Sequence, residues 1–576
     1  MLELFLWNSI SIRTIRVFKR GLQILLFLVL YSYPLLAQNL QWGIGIGGQL
    51  SRELSFSIGL DANENIYTTG LFSGEVDFDP GIGQHYFYAA GDDDVFILKL
   101  DANGKYLWAK NFGGDQHGFG RSIALDKKNG VYTTGNFTGR IDFNPGSAVN
   151  NLFSAGESDI FISKLDTLGN YLWAKRIGGI GYDIGFSIAL DNSENVITTG
   201  YFDHAVDFDP GVGTYIVDAK ENVNAFISKL DRSGNFLWAR NFDGRCLGLG
   251  IATDVNNNVY TVGSYSFITD FDPNLGIFNL ISEGSGDIFI TKLDPDGKLV
   301  WAKSIGGVNS DVGGSIAIDK NGNIHVTGYF QGTVDFDPGV GTFLLNSTGK
   351  FDVFICKLDK NGNFIWAKSM GGTNFGYGVS IALDLKGNVY TTGYFEGTVD
   401  FDPGPKSHII TSMDDDIFIT KLDLNGNYLW SSIIQGPNED EGRSIIVDSK
   451  ENVYTTGEFL GTIGFEPPSV LKIKSNGGQD LFIAKFNSTN TNAIENDTKN
   501  QISIFPNPTS NNVLIELGSI LNATEVTIMN IFGQIVYIEN FNNISSIKLK
   551  IENNPGIYFL NVKSGQESTT FKVIKL

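Results

Sequence analysis

The sequence predicts an all-β protein whose first and larger part repeats one four-stranded unit seven times. Three residue series carry this prediction, and each recurs seven times with a period of roughly 65 residues, which is the signature of a repeat architecture. The first series is Trp42, Trp108, Trp173, Trp238, Trp301, Trp366 and Trp430. The second is Phe78, Phe143, Phe208, Phe271, Phe336, Phe401 and Phe465. The third, FI-x-K, begins at Phe96, Phe161, Phe226, Phe289, Phe354, Phe418 and Phe482.

One period, Gly313–Gly372, contains four strand-like runs, here called a, b, c and d. They read SIAID, NIHVTGYF, DVFICKLD and NFIWAKSM. The a–b and c–d joints are both D-K-N-G-N, beginning at Asp319 and Asp359. Aspartate caps a tight turn with its side chain, and Gly accepts a positive φ, so both joints predict hairpins. The long b–c connection carries V-D-F-D-P-G, and the d–a connection carries a Gly-Gly pair.

Four antiparallel strands repeated seven times predict a seven-bladed β-propeller over residues 38–487. A linear solenoid is the alternative, because stacked repeats also show a fixed period. The chain ends favour the closed ring. The chain has a lone d-like strand near its start, LQWGIGI (Leu40–Ile46), and the last repeat lacks a d strand. We expect the N-terminal strand to complete the seventh blade and close the ring.

These repeats resemble the bacterial β-propeller repeat family abbreviated SBBP. The matching pattern is D-x-F-[IV]-x-K-L-D-x-x-G-x-x-x-W, then Gly-Gly, then S-I-A-x-D-x-x-G-N-x-Y-x-T-G, then Asp-Phe. The resemblance covers about residues 39–490 and includes all seven copies. It implies a propeller fold and no single activity.

Residues 488–500 are polar and predict a linker. Residues 501–576 alternate apolar and polar positions between turns, which predicts a small immunoglobulin-like β-sandwich. This region resembles the type A C-terminal sorting domain of the Bacteroidetes type IX secretion system. The matching residues are Phe505, Pro506, Asn507, Pro508, Lys572 and Lys575, with IFGQIVY and GIYFLNV between them. The resemblance implies the type IX machinery as a partner; an ordinary immunoglobulin-like binding module is the alternative.

Residues 1–37 predict an export signal. Arg13, Arg16, Lys19 and Arg20 precede the apolar run Ile24–Tyr31, and the predicted cleavage site follows Ala37. An uncleaved anchor is the alternative, but the run is short for a membrane span. We therefore expect a secreted or outer cell-surface protein without a stable transmembrane segment in its mature form. The net charge of −21 argues against nucleic acid and anionic membranes as partners.

The V-D-F-D-P-G motif has three interpretations. Its two carboxylates suit Ca²⁺, which takes several oxygen ligands from adaptable loops. A catalytic carboxylate pair is the second interpretation. In the third, the aspartates cap backbone amides while Val and Phe pack between blades. We favour the third, because a motif kept in nearly every repeat indicates fold maintenance. The calcium candidates are Asp77, Asp79, Asp207, Asp209, Asp270, Asp272, Asp335, Asp337, Asp400 and Asp402.

Enzyme chemistry should appear in residues that do not repeat. The five histidines are scattered over different repeats, and no HExxH, GxSxG or Cys-His signature occurs. Cys246 and Cys356 lie in unlike contexts and exclude a zinc cluster. We expect a non-catalytic binding, adhesion or scaffold module for an extracellular protein or glycan. An extracellular carbohydrate-active enzyme, either lyase or hydrolase, is the alternative; non-repeated carboxylates and aromatics at the ring centre would favour it.

Overall fold

The computed structural model describes residues 40–49, 51–412, 414–466, 471–487, 503–505, 512–521, 524–530, 534–542, 544–551, 554–564 and 567–575. The predicted export signal and the predicted linker lie outside these residues. The described chain is all-β, and none of it forms a helix that could span a membrane. It divides into two compact units, residues 1–489 and 490–576.

Strand β1 (Leu40–Ile46) is followed by seven groups of strands, which we call repeat units 1 to 7. Unit 1 holds β2 (Glu53–Leu60), β3 (Ile66–Phe72), β4 (Glu75–Asp77), β5 (Tyr86–Tyr88), β6 (Asp94–Leu100) and β7 (Tyr106–Gly114). Unit 2 holds β8 (Gly118–Leu125), β9 (Val131–Phe137), β10 (Arg140–Asp142), β11 (Asn151–Phe153), β12 (Asp159–Leu165) and β13 (Tyr171–Gly179). Unit 3 holds β14 (Ile184–Leu190), β15 (Val196–Asp207), β16 (Ile216–Leu230) and β17 (Phe236–Asn241).

Units 4 to 7 repeat this arrangement. Unit 4 holds β18 (Asp243–Thr253), β19 (Val259–Asp270), β20 (Asn279–Ile281), β21 (Asp287–Leu293) and β22 (Leu299–Gly307). Unit 5 holds β23 (Val312–Ile318), β24 (Ile324–Phe330), β25 (Thr333–Asp335), β26 (Leu344–Asn346), β27 (Asp352–Leu358) and β28 (Phe364–Gly372). Unit 6 holds β29 (Gly376–Leu383), β30 (Val389–Phe395), β31 (Thr398–Asp400), β32 (Ile409–Thr411), β33 (Asp416–Leu422) and β34 (Tyr428–Gln435). Unit 7 holds β35 (Glu441–Val447), β36 (Val453–Glu466) and β37 (Lys472–Phe486).

In units 1 to 6 the four long strands pair in sequence order and antiparallel, as in β23-β24-β27-β28 of unit 5. Unit 7 has only three strands of its own, and β1 pairs antiparallel with its last strand, with Ile44 opposite Ile483. The first strands of the units, β2, β8, β14, β18, β23, β29 and β35, contact one another in that order, and β35 contacts β2. We call these seven the inner strands.

The short turns fold as the sequence predicts, around an aspartate that caps the turn. In unit 5, Asp319 Oδ1 accepts hydrogen bonds from the amides of Asn321 (2.8 Å) and Asn323 (2.9 Å). Gly322 between them adopts a φ of 81°. The same place in unit 7 is occupied by Glu451 with a φ of 66°, so the capped turn tolerates a residue other than Gly or Asn there.

The V-D-F-D-P-G segment is more ordered than the long connection that the sequence suggests. In unit 5, β25 forms a short hairpin with β26 and also pairs with β22 of unit 4, with Asp335 opposite Gly306. Four other units pair with the last strand of the preceding unit through the same segment. The motif therefore joins neighbouring units through backbone hydrogen bonds, which a one-period comparison of the sequence does not reveal.

The apolar residues of the motif pack between units, as predicted. Val334 and Phe336 are fully buried in a cluster that includes Val262 and Ile288 of unit 4 and Phe354 of unit 5. The Phe336 and Phe354 ring centroids lie 5.1 Å apart. Equivalent clusters lie between other neighbouring units, so the hydrophobic core runs from unit to unit rather than forming one centre.

The second compact unit has two antiparallel sheets. One sheet holds β38 (Ser503–Phe505), β39 (Asn512–Leu521) and β42 (Ile544–Lys550); the other holds β40 (Thr524–Asn530), β41 (Ile535–Phe541), β43 (Gly556–Ser564) and β44 (Glu567–Lys575). Buried residues from both sheets form one cluster, with Ile515 and Leu549 from the first and Ile528, Leu560 and Val573 from the second.

Buried carboxylates are frequent in the repeat units. Burial is the largest cause in each case, and it raises the pKa of Glu53 to about 8, of Asp440 to about 8 and of Asp183 to about 7. The same carboxyl groups ionise near pH 4 in an unfolded chain. Between about pH 4 and pH 8 the folded chain therefore holds more protons than the unfolded chain, and its stability falls as pH rises.

We predict that the chain unfolds at a higher temperature at pH 5.5 than at pH 8. The corresponding difference in the free energy of unfolding is on the order of a few kcal/mol. Calorimetry at a series of pH values in this range measures the midpoint of thermal unfolding. Glu53→Gln should reduce the difference, since Gln does not ionise. A midpoint that rises between pH 5.5 and pH 8 would contradict the assignment of these carboxyl groups.

Candidate functional site

Each inner strand contains a β-bulge at one equivalent position. In unit 2 the ladder with strand b skips from Gly120 to Ser122, so Arg121 leaves the ladder. The register shifts at the same place in the other six units. A bulge re-aims a side chain that regular pairing would point elsewhere. The bulged residues are Phe56, Arg121, Phe186, Leu249, Gly314, Val379 and Arg443.

The Thr-Gly or Val-Gly step of strand b makes room for this bulge. In unit 2, a Cβ on Gly135 would overlap the carbonyl oxygen of Phe119 on the inner strand. Gly70, Gly200, Gly263, Gly328, Gly393 and Gly457 meet an inner-strand carbonyl in the same way. Glycine is therefore required by a close backbone approach in all seven units.

In five units the serine after the bulge links neighbouring inner strands. Ser57 Oγ accepts a hydrogen bond from the amide of Ile123 (3.2 Å), which belongs to the next unit. Equivalent bonds to Ser122, Ser315 and Ser380 join units 2 to 3, 5 to 6 and 6 to 7. Ser444 Oγ accepts from the amide of Ile58 (3.3 Å), so the last unit is tied to the first.

The inner strands surround a cavity of about 460 Å³, which we call the central cavity. Residues of all seven inner strands line it, and the bulged side chains form much of its wall. Its volume lies within the range of small-molecule sites. The inner strands, their bulges and the glycines of strand b repeat around the cavity. The bulged residues do not repeat, because they are two aromatics, two arginines, two aliphatics and a glycine. The lining therefore departs from seven-fold repetition.

Arg443 is held by carboxylates of its own unit. Its Nε and Nη2 donate to Glu458 Oε1 at 2.8 and 2.6 Å, and Nη2 also forms an ion pair with Glu441. Glu458 is 2% exposed, and burial raises its pKa. Burial also raises the pKa of Glu441 to about 7. Arg443 thus supplies a positive charge to the buried Glu458 and to the partly buried Glu441.

Aromatic residues of units 5 and 6 form another part of the cavity wall. The rings of Tyr329 and Tyr377 lie 4.8 Å apart and edge to face, and those of Tyr377 and Tyr394 lie 4.9 Å apart. All three side chains are partly exposed. Such ring faces suit the apolar surface of a ligand, while the phenol groups supply hydrogen bonds.

The aspartates of the V-D-F-D-P-G motif cap backbone amides. In unit 5, Asp335 Oδ1 accepts from the amides of Asp337 (3.1 Å) and Phe343 (2.8 Å), and Asp337 Oδ1 accepts from that of Gly339 (2.8 Å). The other calcium candidates make the same bonds within their own loops. They are Asp77, Asp79, Asp207, Asp209, Asp270, Asp272, Asp400 and Asp402.

A calcium site in these loops stays a prediction. Across the described ranges, no group of three or more His, Cys, Asp or Glu side chains is placed to hold a metal ion. The five candidate pairs belong to separate units, and one Asp-x-Asp pair supplies few of the six to eight oxygens that Ca²⁺ takes.

The histidines and cysteines form no common site in the structure. His117 Nδ1 lies 2.8 Å from Asp93, and His204 Nδ1 lies 3.0 Å from Asp203. His325 is buried in β24, where burial lowers its pKa to about 4. Cys246 and Cys356 are buried and free.

The repeated tryptophans connect neighbouring units. Trp108 Nε1 donates to the carbonyl of Thr167 (3.2 Å), and Trp238 Nε1 donates to that of Pro295 (3.1 Å). In both cases the acceptor is the c–d turn of the next unit. The tryptophan row therefore connects units and is not arranged as a platform for sugars.

Of the predicted sorting residues, Phe505, Lys572 and Lys575 lie on the edge strands β38 and β44 of the two sheets of the C-terminal unit. Phe505 ends β38, and Pro506, Asn507 and Pro508 lie outside the described residues. Lys572 and Lys575 lie on β44. Lys575 is buried, and its Nζ donates to the carbonyl of Ile551 (2.7 Å).

The bulged residues are the functional candidates that the sequence interpretation missed. The signal was the residue before Ser-Ile in six repeats, and before Gly-Ile in unit 4, because it varies while its two neighbours hardly change. Comparing the repeats column by column would have singled out Arg121 and Arg443. Their different surroundings become visible only in the structure, since strand b supplies the partner.

Two families match parts of the chain. Residues 503–576 match the secretion system C-terminal sorting domain, and residues 300–329 match the β-propeller repeat. Both resemblances inferred from the sequence are thereby confirmed. The sorting domain indicates export through the type IX secretion system to the cell surface or the extracellular space.

Two curated proteins are similar to the chain. The uncharacterized WD repeat-containing protein L264 of Acanthamoeba polyphaga mimivirus is 26% identical over 505 residues, which cover 73% of this chain and 36% of that protein. The regulatory protein FlaEY of Caulobacter vibrioides is 24% identical over 197 residues, which cover 33% of this chain and 19% of that protein. The chain thus spans about a third or less of these relatives.

Among solved structures, Sqt1 from Chaetomium thermophilum is 11% identical and has a TM-score of 0.36, with 78% of this chain and 100% of that chain covered. A protein of unknown function from Bacteroides caccae is 11% identical and has a TM-score of 0.29, with 58% of this chain and 89% of that chain covered.

We predict that Asp337→Asn changes the unfolding free energy by less than about 0.5 kcal/mol, whereas Asp337→Ala costs about 1 kcal/mol. Asn144 occupies the same place in unit 2 and accepts from the amide of Gly146 (2.9 Å), so Asn preserves the cap. Urea denaturation measures both variants. Repeating it in calcium and in EDTA provides the control: a calcium-dependent gain that Asp337→Asn abolishes would contradict a purely capping role.

We predict that Arg443→Met lowers the unfolding free energy by about 3–5 kcal/mol, because it leaves Glu458 buried and unpaired. The double variant Arg443→Met with Glu458→Met should recover part of this loss, since no buried charge remains. Urea denaturation of the two variants measures the difference. A loss below about 1 kcal/mol for the single variant would show that Arg443 does not stabilise the buried carboxylates.

Proposed function

We propose that the repeat units form a seven-bladed β-propeller closed by its N-terminal strand, and that this propeller is an extracellular, non-catalytic binding module. The contacts between consecutive inner strands support seven blades, as does the return contact from β35 to β2. Closure is supported by the pairing of β1 with β37 and by the bond between Ile58 and Ser444. We also propose that residues 501–576 form an immunoglobulin-like sandwich, with residues 1–37 as a cleaved signal.

The observation that carries the binding function is the uneven lining of the central cavity. Repeated residues build the turns, the core and the contacts between units. The bulged positions have no such role in common, because their side chains range from Gly314 to Arg121. Residues that differ from unit to unit within a repeated frame are those expected to meet a ligand.

A carbohydrate-active enzyme is the alternative, since non-repeated aromatic residues line the cavity. Among the described residues that line it, none is a carboxylate; Glu441 and Glu458 lie beside the lining residue Arg443. Binding is favoured because Glu441 and Glu458 are both engaged by Arg443. A general acid or base has to reach the substrate with a free oxygen or proton, and an arginine partner competes for that group.

We expect the chain from residue 38 onward to be retarded by at least one soluble polysaccharide in affinity electrophoresis. Tyr377→Ala should weaken that retardation, because it removes the central ring of the aromatic wall. Val340→Ser is the matched control: Val340 is fully exposed at a loop tip outside the cavity, so it should behave like the unaltered chain.

Two results of this experiment would contradict the proposal. Equal retardation of the Tyr377→Ala variant would place binding outside the central cavity. Release of new reducing ends from the retained polysaccharide would show that the protein is an enzyme.

A further inference from the structure

Two arginines occupy the bulge position, and only one of them has a carboxylate partner. Arg443 faces Glu458 on strand b of its unit. At the equivalent place on strand b of unit 2 stands Asn136, and Arg121 Nε donates to its Oδ1 at 2.8 Å. Among the described residues, no carboxylate oxygen lies within 4.0 Å of the Arg121 side chain. Its positive charge is therefore uncompensated.

Arg121 is nevertheless only partly exposed, and aromatic rings surround its guanidinium. Its guanidinium lies 4.9 Å from the ring centroid of Phe186, 5.4 Å from that of Phe119 and 5.9 Å from that of Phe56. These aromatic faces attract the cation only weakly compared with a carboxylate. Burial lowers the pKa of Arg121 to about 10, so the group is still charged at neutral pH. A desolvated cation without a counter-ion costs free energy, which a bound anion would offset.

The same cavity provides a wall that suits a ring-shaped ligand. Tyr329, Tyr377 and Tyr394 line the cavity together with Arg121. A ligand that carries one oxyanion and one apolar face would use both features. Arg121 Nε is bonded to Asn136, but its two terminal nitrogens can still donate hydrogen bonds to a carboxylate.

Charge and size restrict the ligand further. The chain has a net charge of −21, so long-range repulsion disfavours ligands with many negative charges. Only one of the two cavity arginines is uncompensated, which matches a single negative group. A cavity of about 460 Å³ admits a molecule the size of one or two sugar rings.

We propose that the central cavity binds a small saccharide with a single carboxylate, that is, an acidic sugar of the uronate type. Arg121 holds the carboxylate, and the tyrosine wall packs against the sugar ring. This inference rests on the proposed binding function of the cavity and adds the class of ligand.

Titration calorimetry of the chain from residue 38 onward with D-glucuronate, and with D-glucose as the neutral counterpart, tests this proposal. We expect saturable binding of glucuronate that is at least ~10-fold tighter than that of glucose, as one charged hydrogen-bonded contact provides. Arg121→Gln should remove that preference. Asn136→Glu should remove it as well, because it gives Arg121 the carboxylate partner that Arg443 already has.

Arg140→Gln is the matched control, since Arg140 is exposed and pairs with Asp115 outside the cavity. It should bind glucuronate as the unaltered chain does. Absence of glucuronate binding to the unaltered chain, or binding unchanged in Arg121→Gln, overturns the proposal. Glucose bound as tightly as glucuronate, with both lost in Tyr377→Ala, overturns the acidic-sugar inference and leaves the binding function of the cavity standing.

Stability gives a second readout that needs no ligand. An uncompensated buried cation does not stabilise the fold, so Arg121→Met should leave the thermal midpoint unchanged or raise it. A fall as large as that of Arg443→Met would show that Arg121 is a structural residue and would overturn the proposal.

Discussion

The structure depends on one close contact that is made seven times, the approach of an inner-strand carbonyl to a glycine of strand b. In unit 2 this is Phe119 above Gly135. Because Gly135 has no Cβ, the inner strand can bulge two residues after Phe119, at Arg121. The side chain of this bulged residue then lines the cavity. The following residue, most often serine, then faces the neighbouring inner strand and bonds to its backbone. Fold and cavity wall thus follow from the same local geometry.

This geometry separates the residues that maintain the fold from those that we propose for ligand binding. Turn aspartates, tryptophans and the V-D-F-D-P-G segment recur because each joins backbone to backbone or unit to unit. The bulged position makes no such shared contact, so it can hold an arginine in one unit and a glycine in another. Arg443 and Arg121 show the consequence: one geometry yields a neutralised ion pair beside Glu458 and an uncompensated cation beside Asn136.

Much of the fold could be predicted from the sequence, because hairpins and turns depend on residues close together in the chain. The capped turn at Asp319 and the buried Phe336 are examples. The cavity could not be predicted in the same way. The hydrogen bond from the Ile123 amide to Ser57 Oγ joins residues 66 positions apart, and the partner of Arg121 lies on the next strand, 15 positions away. Such pairings follow from register and bulging, which composition and period do not specify.

The central claim is that a closed ring holds the seven bulged residues around one cavity. Hydrogen exchange of strand β1 in the chain from residue 38 onward tests it most directly, because β1 is the strand that joins the two ends. The account predicts that the amides of residues 40–46 and of residues 481–486 exchange together and only as slowly as global unfolding permits. Rapid exchange of residues 40–46 from an otherwise protected protein would show an open ring and contradict the claim.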